Sequence, residues 1–209
     1  QDLFSQKIMA LRIPNFCNPD VVNSALYHLR NNEVIEYRNA EGVGKLKGIG
    51  MAFFEIENEE TRKKYYDERL SSLEALRIAF SPFLSPIDKL RVQLDEQWSS
   101  GASLLDLGNG PMFLGLVRAI QGHIKPHEDK LERDDPSAMS KVSYVSQIAF
   151  NCYLQVPDQG GELEIWDLSL NDENYNALRG ESYGIDRSNL PLPNYSLKPM
   201  VGELIVFNG

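Results

Sequence analysis

One histidine and one aspartate, two positions apart, are the strongest candidates for chemistry in this chain. They are His127 and Asp129, in the run Gly122-His123-Ile124-Lys125-Pro126-His127-Glu128-Asp129. On an extended backbone, residues two apart project to the same face, so this imidazole and this carboxylate can take adjacent positions around one metal ion. With a second histidine, such a pair forms the ligand set that suits Fe(II) and leaves other positions open. The pattern is short, so the pair alone does not identify a metal site.

The other residues of nucleophilic or metal-ligating type carry weaker signals. His28 falls on the first predicted helix, and His123 is a second possible ligand that we interpret as structural. Cys17 and Cys152 lack the context of catalytic nucleophiles, and the sequence has no Gly-x-Ser-x-Gly elbow. Zinc fingers and ribbons need cysteine pairs that are not present. Two cysteines are too few for a disulfide framework, which favours a reducing compartment and a cytoplasmic location.

Composition and charge exclude two large classes of function. The 209 residues are 42% apolar and 24% charged, as is typical of a folded, soluble protein. A net charge of −9 is unfavourable for tracking a nucleic-acid backbone. No run approaches the roughly 18 consecutive apolar residues of a membrane span, and the N-terminus does not resemble a secretory signal. We therefore expect a small-molecule partner, no nucleic acid and no membrane, and we leave the oligomeric state open.

The first half of the chain predicts helices mixed with strands. One helix begins at Asn18-Pro19, a second covers about 58–80, and a third begins at Ser85-Pro86, where a capping residue is followed by a first-turn proline. Residues 33–37 and 51–56 have the pattern of strands. Between them, 42–50 is rich in glycine. Because an extended segment rather than a helix follows it, we interpret it as a hairpin or lid and not as a phosphate loop.

From residue 111 onward the pattern changes to alternation punctuated by turns, which predicts strands. The predicted strands cover 112–120, 144–156, 162–167, 195–198 and 203–207. The polar segment 171–193 lies between two of them and is interpreted as a loop insertion and a candidate mobile lid.

The predicted strand 144–156 has one apolar face and one polar face. Gln147, Ala149, Asn151 and Tyr153 share the polar face. Since the apolar face is expected to pack on a core, the polar face either meets solvent or lines a polar cavity.

Taken in order, these features resemble one family. They are His127-Glu128-Asp129, a long strand that ends in Val156-Pro157-Asp158-Gln159-Gly160-Gly161, and the run Gly202-Glu203-Leu204-Ile205-Val206-Phe207-Asn208-Gly209. The chain resembles the Fe(II)/2-oxoglutarate-dependent oxygenases over roughly 42–209. Among them it looks closest to the carrier-free small-molecule hydroxylases and halogenases that act on amino acids and alkaloids.

The resemblance implies a mainly β fold with flanking helices. It is a double-stranded β-helix, a jelly-roll or cupin-like barrel, packed on N-terminal helices. We expect a single oxygenase domain over 1–209, with a helix-rich part at 1–110 and the jelly-roll core at 111–209. The family's distal histidine and the arginine that grips 2-oxoglutarate would follow Gly209, so we expect the C-terminal end of the domain to be missing from this sequence.

The resemblance also implies a site. His127 and Asp129 correspond to the first two ligands of Fe(II), and 2-oxoglutarate and O₂ are the expected cosubstrates. Gln147 and Asn151 would point into the barrel and bind cosubstrate or substrate. Arg118, on the preceding predicted strand, would bind a carboxylate as a two-pronged fork if it points inward. The alternative for Arg118 is an outward, solvated side chain.

The predicted function is hydroxylation of a small molecule, an amino acid or an amine-bearing metabolite. Halogenating relatives replace the carboxylate at the position of Asp129 with glycine or alanine, so its presence favours hydroxylation. Two alternatives stay open. One is a halogenase or desaturase on the same scaffold, and the other is a cupin-like protein that binds a ligand without catalysis.

Overall fold

Backbone contacts separate the chain into two compact units. The computed structural model describes residues 2–3, 5, 7–31, 36–37, 46–120 and 122–208. The first unit comprises Gln1–Asn18, His123–Lys130 and Tyr144–Gly209, and the second comprises Pro19–Gly122 and Leu131–Ser143. The candidate metal pair therefore belongs to the first unit.

Three helices in the second unit begin where the capping residues predict. They are α1 (Pro19–Asn31), α2 (Glu59–Phe80) and α3 (Pro86–Gln97). The Asn58 side chain accepts a hydrogen bond from the Thr61 N–H at 3.0 Å, which caps α2. The Ser85 hydroxyl accepts from the Asp88 N–H at 3.1 Å, which caps α3. Each cap satisfies a backbone donor that the first helical turn leaves unpaired, and the predictions of these helices are confirmed.

The core of the second unit lies mainly under α2. Leu76 and Phe80 are 2% and 1% exposed, and Tyr65 is equally buried. The Tyr65 hydroxyl accepts a hydrogen bond from the Phe113 N–H at 2.9 Å. Burial raises the pKa of Tyr65 to about 12, so its hydroxyl stays neutral in this core. Such burial of large apolar side chains is the main stabilising contribution to a unit of this kind.

The strands of the second unit form a small antiparallel sheet. They are β2 (Glu36–Tyr37), β3 (Leu46–Ile49) and β4 (Val117–Ala119), in the order β2-β3-β4. The prediction of a strand over 112–120 is right only for its last part. Much of the predicted hairpin and of the strand over 33–37 lies outside the described residues, namely 32–35 and 38–45.

The prediction of a strand over 51–56 is wrong. Phe53–Glu55 forms a 3-10 turn, and the Glu55 carboxylate accepts a hydrogen bond from the Ala52 N–H at 2.7 Å. This local side-chain bond closes the turn and competes with strand pairing. Further along the same unit, α4 (Leu131–Asp134) and a 3-10 turn over Pro136–Ser140 follow each other.

The main sheet of the first unit has three antiparallel strands. They are β1 (Ala10–Ile13), β5 (Ile148–Cys152) and β8 (Leu204–Asn208), in the order β1-β8-β5. Leu204 of the central strand pairs with Ile13 on one side and Cys152 on the other. The predicted strand 144–156 is thus shortened to its middle, while that over 203–207 is confirmed to within a residue. Two further strands, β6 (Leu163–Ile165) and β7 (Tyr195–Leu197), pair antiparallel.

A buried ion pair joins β1 to the start of β8. Glu203 has no solvent exposure, and the Arg12 guanidinium donates to both of its carboxylate oxygens at 2.7 Å. The Met200 N–H also donates to Glu203, at 2.9 Å. These bonds satisfy a carboxylate that would otherwise be costly to bury.

The predicted loop insertion over 171–193 contains a helix, so that prediction is wrong in part. The helix α5 (Asp172–Arg179) is capped by the Asn171 side chain and ends at Gly180. Tyr175 on this helix is 3% exposed. A single large buried side chain in a polar segment gives too weak a periodic signal for sequence analysis to detect.

The described residues form small antiparallel sheets, none of them closed, with flanking helices. This supports a mixed helix and sheet architecture, while the double-stranded β-helix stays a prediction, as does the single domain over 1–209. None of the helices within the described ranges is long and apolar enough to cross a membrane.

Candidate functional site

The candidate pair lies on segment 123–130 of the first unit, which belongs to no helix or strand. The spacing of His127 and Asp129 brings their side chains together, with the imidazole Nε2 3.6 Å from the carboxylate Oδ1. Their side chains are 35% and 47% exposed. Both side chains are therefore accessible to a solute over part of their surface and in contact with protein over the rest.

A backbone carbonyl determines which nitrogen of His127 faces Asp129. The Nδ1 atom lies 2.8 Å from the Lys125 carbonyl oxygen. A carbonyl only accepts hydrogen bonds, so Nδ1 carries the proton, and in the neutral ring Nε2 has the free lone pair. This arrangement, in which one ring N–H donates to a backbone carbonyl while the other nitrogen is available, is typical of metal-ligating histidines.

The donor set fits a divalent metal ion. Metal bonds to imidazole nitrogen and carboxylate oxygen are about 2.0–2.2 Å long for an ion such as zinc. The observed 3.6 Å between Nε2 and Oδ1 is less than the sum of two such bonds, so His127 and Asp129 can bind the same ion. Among the described residues no group of three or more histidine, cysteine, aspartate or glutamate side chains is placed to hold a metal. The pair can supply two ligands of a larger set.

Sequence analysis missed the residues that hold this segment. The Lys125 N–H donates to the Tyr183 hydroxyl at 2.7 Å, and the Ile185 N–H donates to the Pro126 carbonyl at 2.8 Å. The Tyr183 ring also meets the His127 ring edge to face, with 5.9 Å between centroids. These partners lie 58 or 59 residues further along the chain, and no local pattern links them to the candidate pair.

Two other predicted site residues, Gln147 and Asn151, lie in the same unit. Asn151 is exposed on β5, and its Nδ2 atom is 3.5 Å from the Tyr153 hydroxyl. Gln147 is half-buried just before that strand. Burial raises the pKa of Tyr153, which keeps this hydroxyl available as a neutral hydrogen-bonding group. The binding roles of Gln147 and Asn151 stay predictions.

The predicted carboxylate-binding arginine lies in the second unit. Arg118 is on β4, opposite Gly48 of β3, and its side chain is exposed. Its role in binding a carboxylate stays a prediction.

The remaining candidate residues take no part in the pair. His123 is exposed at the start of the segment. Cys17 and Cys152 are thiols whose sulfur atoms lie 3.6 Å apart beside the three-stranded sheet. Their separation of 135 positions in the chain gave no indication of this contact.

Comparison with known proteins supports a hydroxylase. The chain is 21% identical over 212 aligned positions to L-γ-glutamyl-L-propargylglycine hydroxylase of Streptantibioticus cattleyicolor. The alignment covers 99% of this chain and 78% of that protein. No protein-family model matches the chain. A distant similarity that runs along nearly the whole chain supports an enzyme of the small-molecule hydroxylase type.

Proposed function

We propose that this protein is an Fe(II)- and 2-oxoglutarate-dependent hydroxylase of a small molecule, with His127 and Asp129 as two of the metal ligands. The observation that carries the proposal is the pairing of Nε2 and Oδ1 at 3.6 Å, with Nδ1 committed to a carbonyl. The pair occurs in a chain similar along its length to a hydroxylase. The two lines of support are independent, since the geometry does not use the comparison.

Each residue of the pair has a defined task. In the neutral tautomer with its proton on Nδ1, His127 would offer the Nε2 lone pair to the metal, and Asp129 would offer a carboxylate oxygen, Oδ1, that lies 3.6 Å from Nε2. When bound there, Fe(II) with 2-oxoglutarate and O₂ would supply the oxidising chemistry: one oxygen atom would enter a C–H bond, the other would enter succinate, and CO₂ would be released from 2-oxoglutarate. The protein contributes the orientation of the ligands and a surface that brings the substrate beside them. Asp129 occupies a ligand position that a halide would need, so hydroxylation is the proposed outcome.

The substrate proposed is an amino acid or an amine-bearing metabolite. The relative is named for a substrate in which a glutamyl group is linked to an amino acid, so γ-glutamyl amino acids belong to the same proposal. A net charge of −9 favours ligands that carry an ammonium group over anionic polymers. Gln147 and Asn151 are proposed to bind cosubstrate or substrate through hydrogen bonds. Carboxylate binding is proposed separately for Arg118.

Conversion of 2-oxoglutarate to succinate tests the function. The full-length protein is incubated with Fe(II), 2-oxoglutarate and a panel of free amino acids, γ-glutamyl amino acids and amines. We expect substrate-dependent succinate in step with a product heavier by one oxygen atom. A matched pair of variants, Asp129→Ala and Asp158→Ala, separates the site from an exposed turn aspartate. Only the first is expected to lose turnover.

Parallel reactions with chloride distinguish the outcomes. A chlorinated product would assign a halogenase, and a product lighter by two hydrogen atoms a desaturase. Tight binding of a panel member with no succinate at any iron concentration would assign a ligand-binding protein and contradict the proposal.

A further inference from the structure

The helix α5 and the segment that follows it contact the backbone on both sides of His127. We infer that Tyr183 is a positioning residue, which holds the Lys125 carbonyl in place to accept the Nδ1 proton of His127 and so keeps Nε2 available for metal. The inference rests on the proposed function and concerns residues to which neither the sequence pattern nor the comparison assigns a role. It predicts that metal affinity depends on a tyrosine that does not touch the metal.

Two hydrogen bonds hold the backbone of Lys125 and Pro126. The Lys125 N–H donates to the Tyr183 hydroxyl at 2.7 Å, and the Pro126 carbonyl accepts from the Ile185 N–H at 2.8 Å. Between these two bonds lies the Lys125 carbonyl that accepts from His127 Nδ1 at 2.8 Å. Pro126 also restricts the preceding residue to extended conformations. The acceptor of the imidazole proton is therefore held from both ends.

The backbone at Gly184 closely approaches the backbone of Lys125 and Pro126. A Cβ atom at this position would come within 2.7 Å of the Pro126 carbonyl oxygen and 2.9 Å of the Lys125 Cβ. Real side chains essentially never make such contacts, so glycine is required here for space. Gly184 and Ile185 are both buried. The contact between this stretch and the Lys125–Pro126 backbone therefore lies in the interior of the unit.

The helix α5 anchors the segment that carries Tyr183. Tyr175 is 3% exposed, and its hydroxyl accepts from the Glu128 N–H at 3.4 Å, on the far side of His127 from Lys125. The Arg179 guanidinium donates to the Ser182 carbonyl at 3.1 Å, which ties the end of α5 to the residue before Tyr183. The backbone is therefore contacted on both sides of His127 by one continuous stretch of chain.

The tautomer of His127 decides which of its ring nitrogens can bind a metal ion. The neutral imidazole of a histidine exists as two tautomers, and only the one with the proton on Nδ1 offers Nε2 to a metal. The hydrogen bond to the Lys125 carbonyl selects this tautomer and orients the ring. Tyr183 holds that carbonyl in position by accepting a hydrogen bond from the N–H of the same residue. Loss of outer hydrogen-bond partners of this kind commonly lowers metal affinity about 10- to 100-fold.

The test measures Fe(II) binding by anaerobic titration calorimetry, with no substrate and no turnover. Tyr183→Phe removes the hydroxyl and keeps the ring beside His127. We expect its dissociation constant for Fe(II) to rise about tenfold. Tyr195→Phe makes the same change at a tyrosine that is 48% exposed and is expected to bind as the unaltered protein does. Gly184→Ala, which displaces the Lys125–Pro126 backbone while leaving the Tyr183 hydroxyl in place, is expected to weaken binding as well.

A second readout reports the tautomer directly. Long-range ¹H–¹⁵N spectra of the metal-free protein, recorded at about pH 8.5, resolve the ring nitrogens of the three histidines. We expect His127 with its proton on Nδ1 in the unaltered protein and a mixture of tautomers in Tyr183→Phe. A general loss of packing would not move this equilibrium while leaving the melting temperature unchanged.

The outcomes separate this inference from the proposed function. If the unaltered protein binds no Fe(II), or binds it as tightly after His127→Ala, the metal site itself is contradicted. If His127→Ala loses binding while Tyr183→Phe retains full affinity and a single Nδ1–H tautomer, the positioning role is overturned and the site stands.

Discussion

The two units of the molecule hold their structure in different ways. In the second unit, α2 buries Leu76 and Phe80 and α3 buries Ile87 and Leu90. Each of these helices begins at a cap made within three residues. In the first unit, the segment 123–130 has no regular structure, and the side chains of His127 and Asp129 are exposed by about a third and a half. It is held by hydrogen bonds to residues 47 to 59 positions away.

Because of this difference, we expect the stability of the protein and its chemistry to depend on different regions of the molecule. Burial of apolar area stabilises the helical region, and its loss is expected to lower the free energy of unfolding. In segment 123–130, hydrogen bonds to distant residues hold the backbone next to the side chains of His127 and Asp129, which stay partly exposed. Substitutions in the two regions should therefore affect different measurements, and the following experiments test that separation.

The largest expected effect is on turnover at the candidate pair. His127→Ala should lose Fe(II)-dependent succinate formation altogether, because the metal would keep one ligand fewer and the carboxylate alone would bind it weakly. The melting temperature of the metal-free variant should stay within a few degrees, since the imidazole is partly exposed. His123→Ala is the matched control and should retain activity. Full turnover in His127→Ala would remove it from the ligand set.

The next effect is on stability in the helical region. Leu76→Ala should lower the free energy of unfolding by about 2–5 kcal/mol through lost burial and the cavity left behind. Leu70→Ala, on the same helix but 67% exposed, should cost far less. Both values come from urea unfolding followed by circular dichroism. Fe(II) affinity of the folded Leu76→Ala protein should be unchanged, and a large loss of affinity would show that the two regions are not separable in this way.

A smaller effect is expected at the buried ion pair of the first unit. Arg12→Met leaves the Glu203 carboxylate buried without its guanidinium partner. We expect a loss of about 2 kcal/mol at neutral pH, below that of fully buried pairs because the Arg12 side chain is partly exposed. Lys7→Met, an exposed site with the same change in charge, is the control.

The same pair predicts a pH dependence. The hydrogen bond from Arg12 outweighs the opposing effect of burial and holds the pKa of the Glu203 carboxyl below its usual value. A carboxyl with a lower pKa in the folded state stabilises the fold above the unfolded-state pKa, and this contribution is lost as the pH falls through the folded-state value. The difference in stability between Arg12→Met and the unaltered protein should therefore shrink on acidification below the usual glutamate pKa. A difference that grows in acid would contradict this account.

The smallest effect is expected at a helix cap. Ser85→Ala removes the acceptor for the Asp88 N–H at the start of α3 and should cost about 1 kcal/mol in unfolding free energy. Ser71→Ala, an exposed serine within α2, is the matched control and should cost little. Equal costs at both serines would show that the cap is not a specific contribution.

Sequence analysis predicted the elements whose determinants are local. The starts of α2 and α3 follow from side chains that bond to backbone groups three residues away, and such signals can be read along the chain. It failed where a local turn or one distant contact decides the structure. The Glu55 carboxylate closes a turn in place of the predicted strand over 51–56, and the burial of Tyr175 supports a helix in the predicted loop.

For the candidate site, the sequence by itself determined that an imidazole and a carboxylate occur two positions apart. Residues with this spacing share a face wherever the backbone is extended. The tertiary structure alone decided which ring nitrogen of His127 faces Asp129. That choice depends on the Lys125 carbonyl, which is held between the Tyr183 hydroxyl and the Ile185 N–H. Hydrogen bonds between groups nearly 60 positions apart form only when the chain has folded, so no spacing in the sequence encodes them.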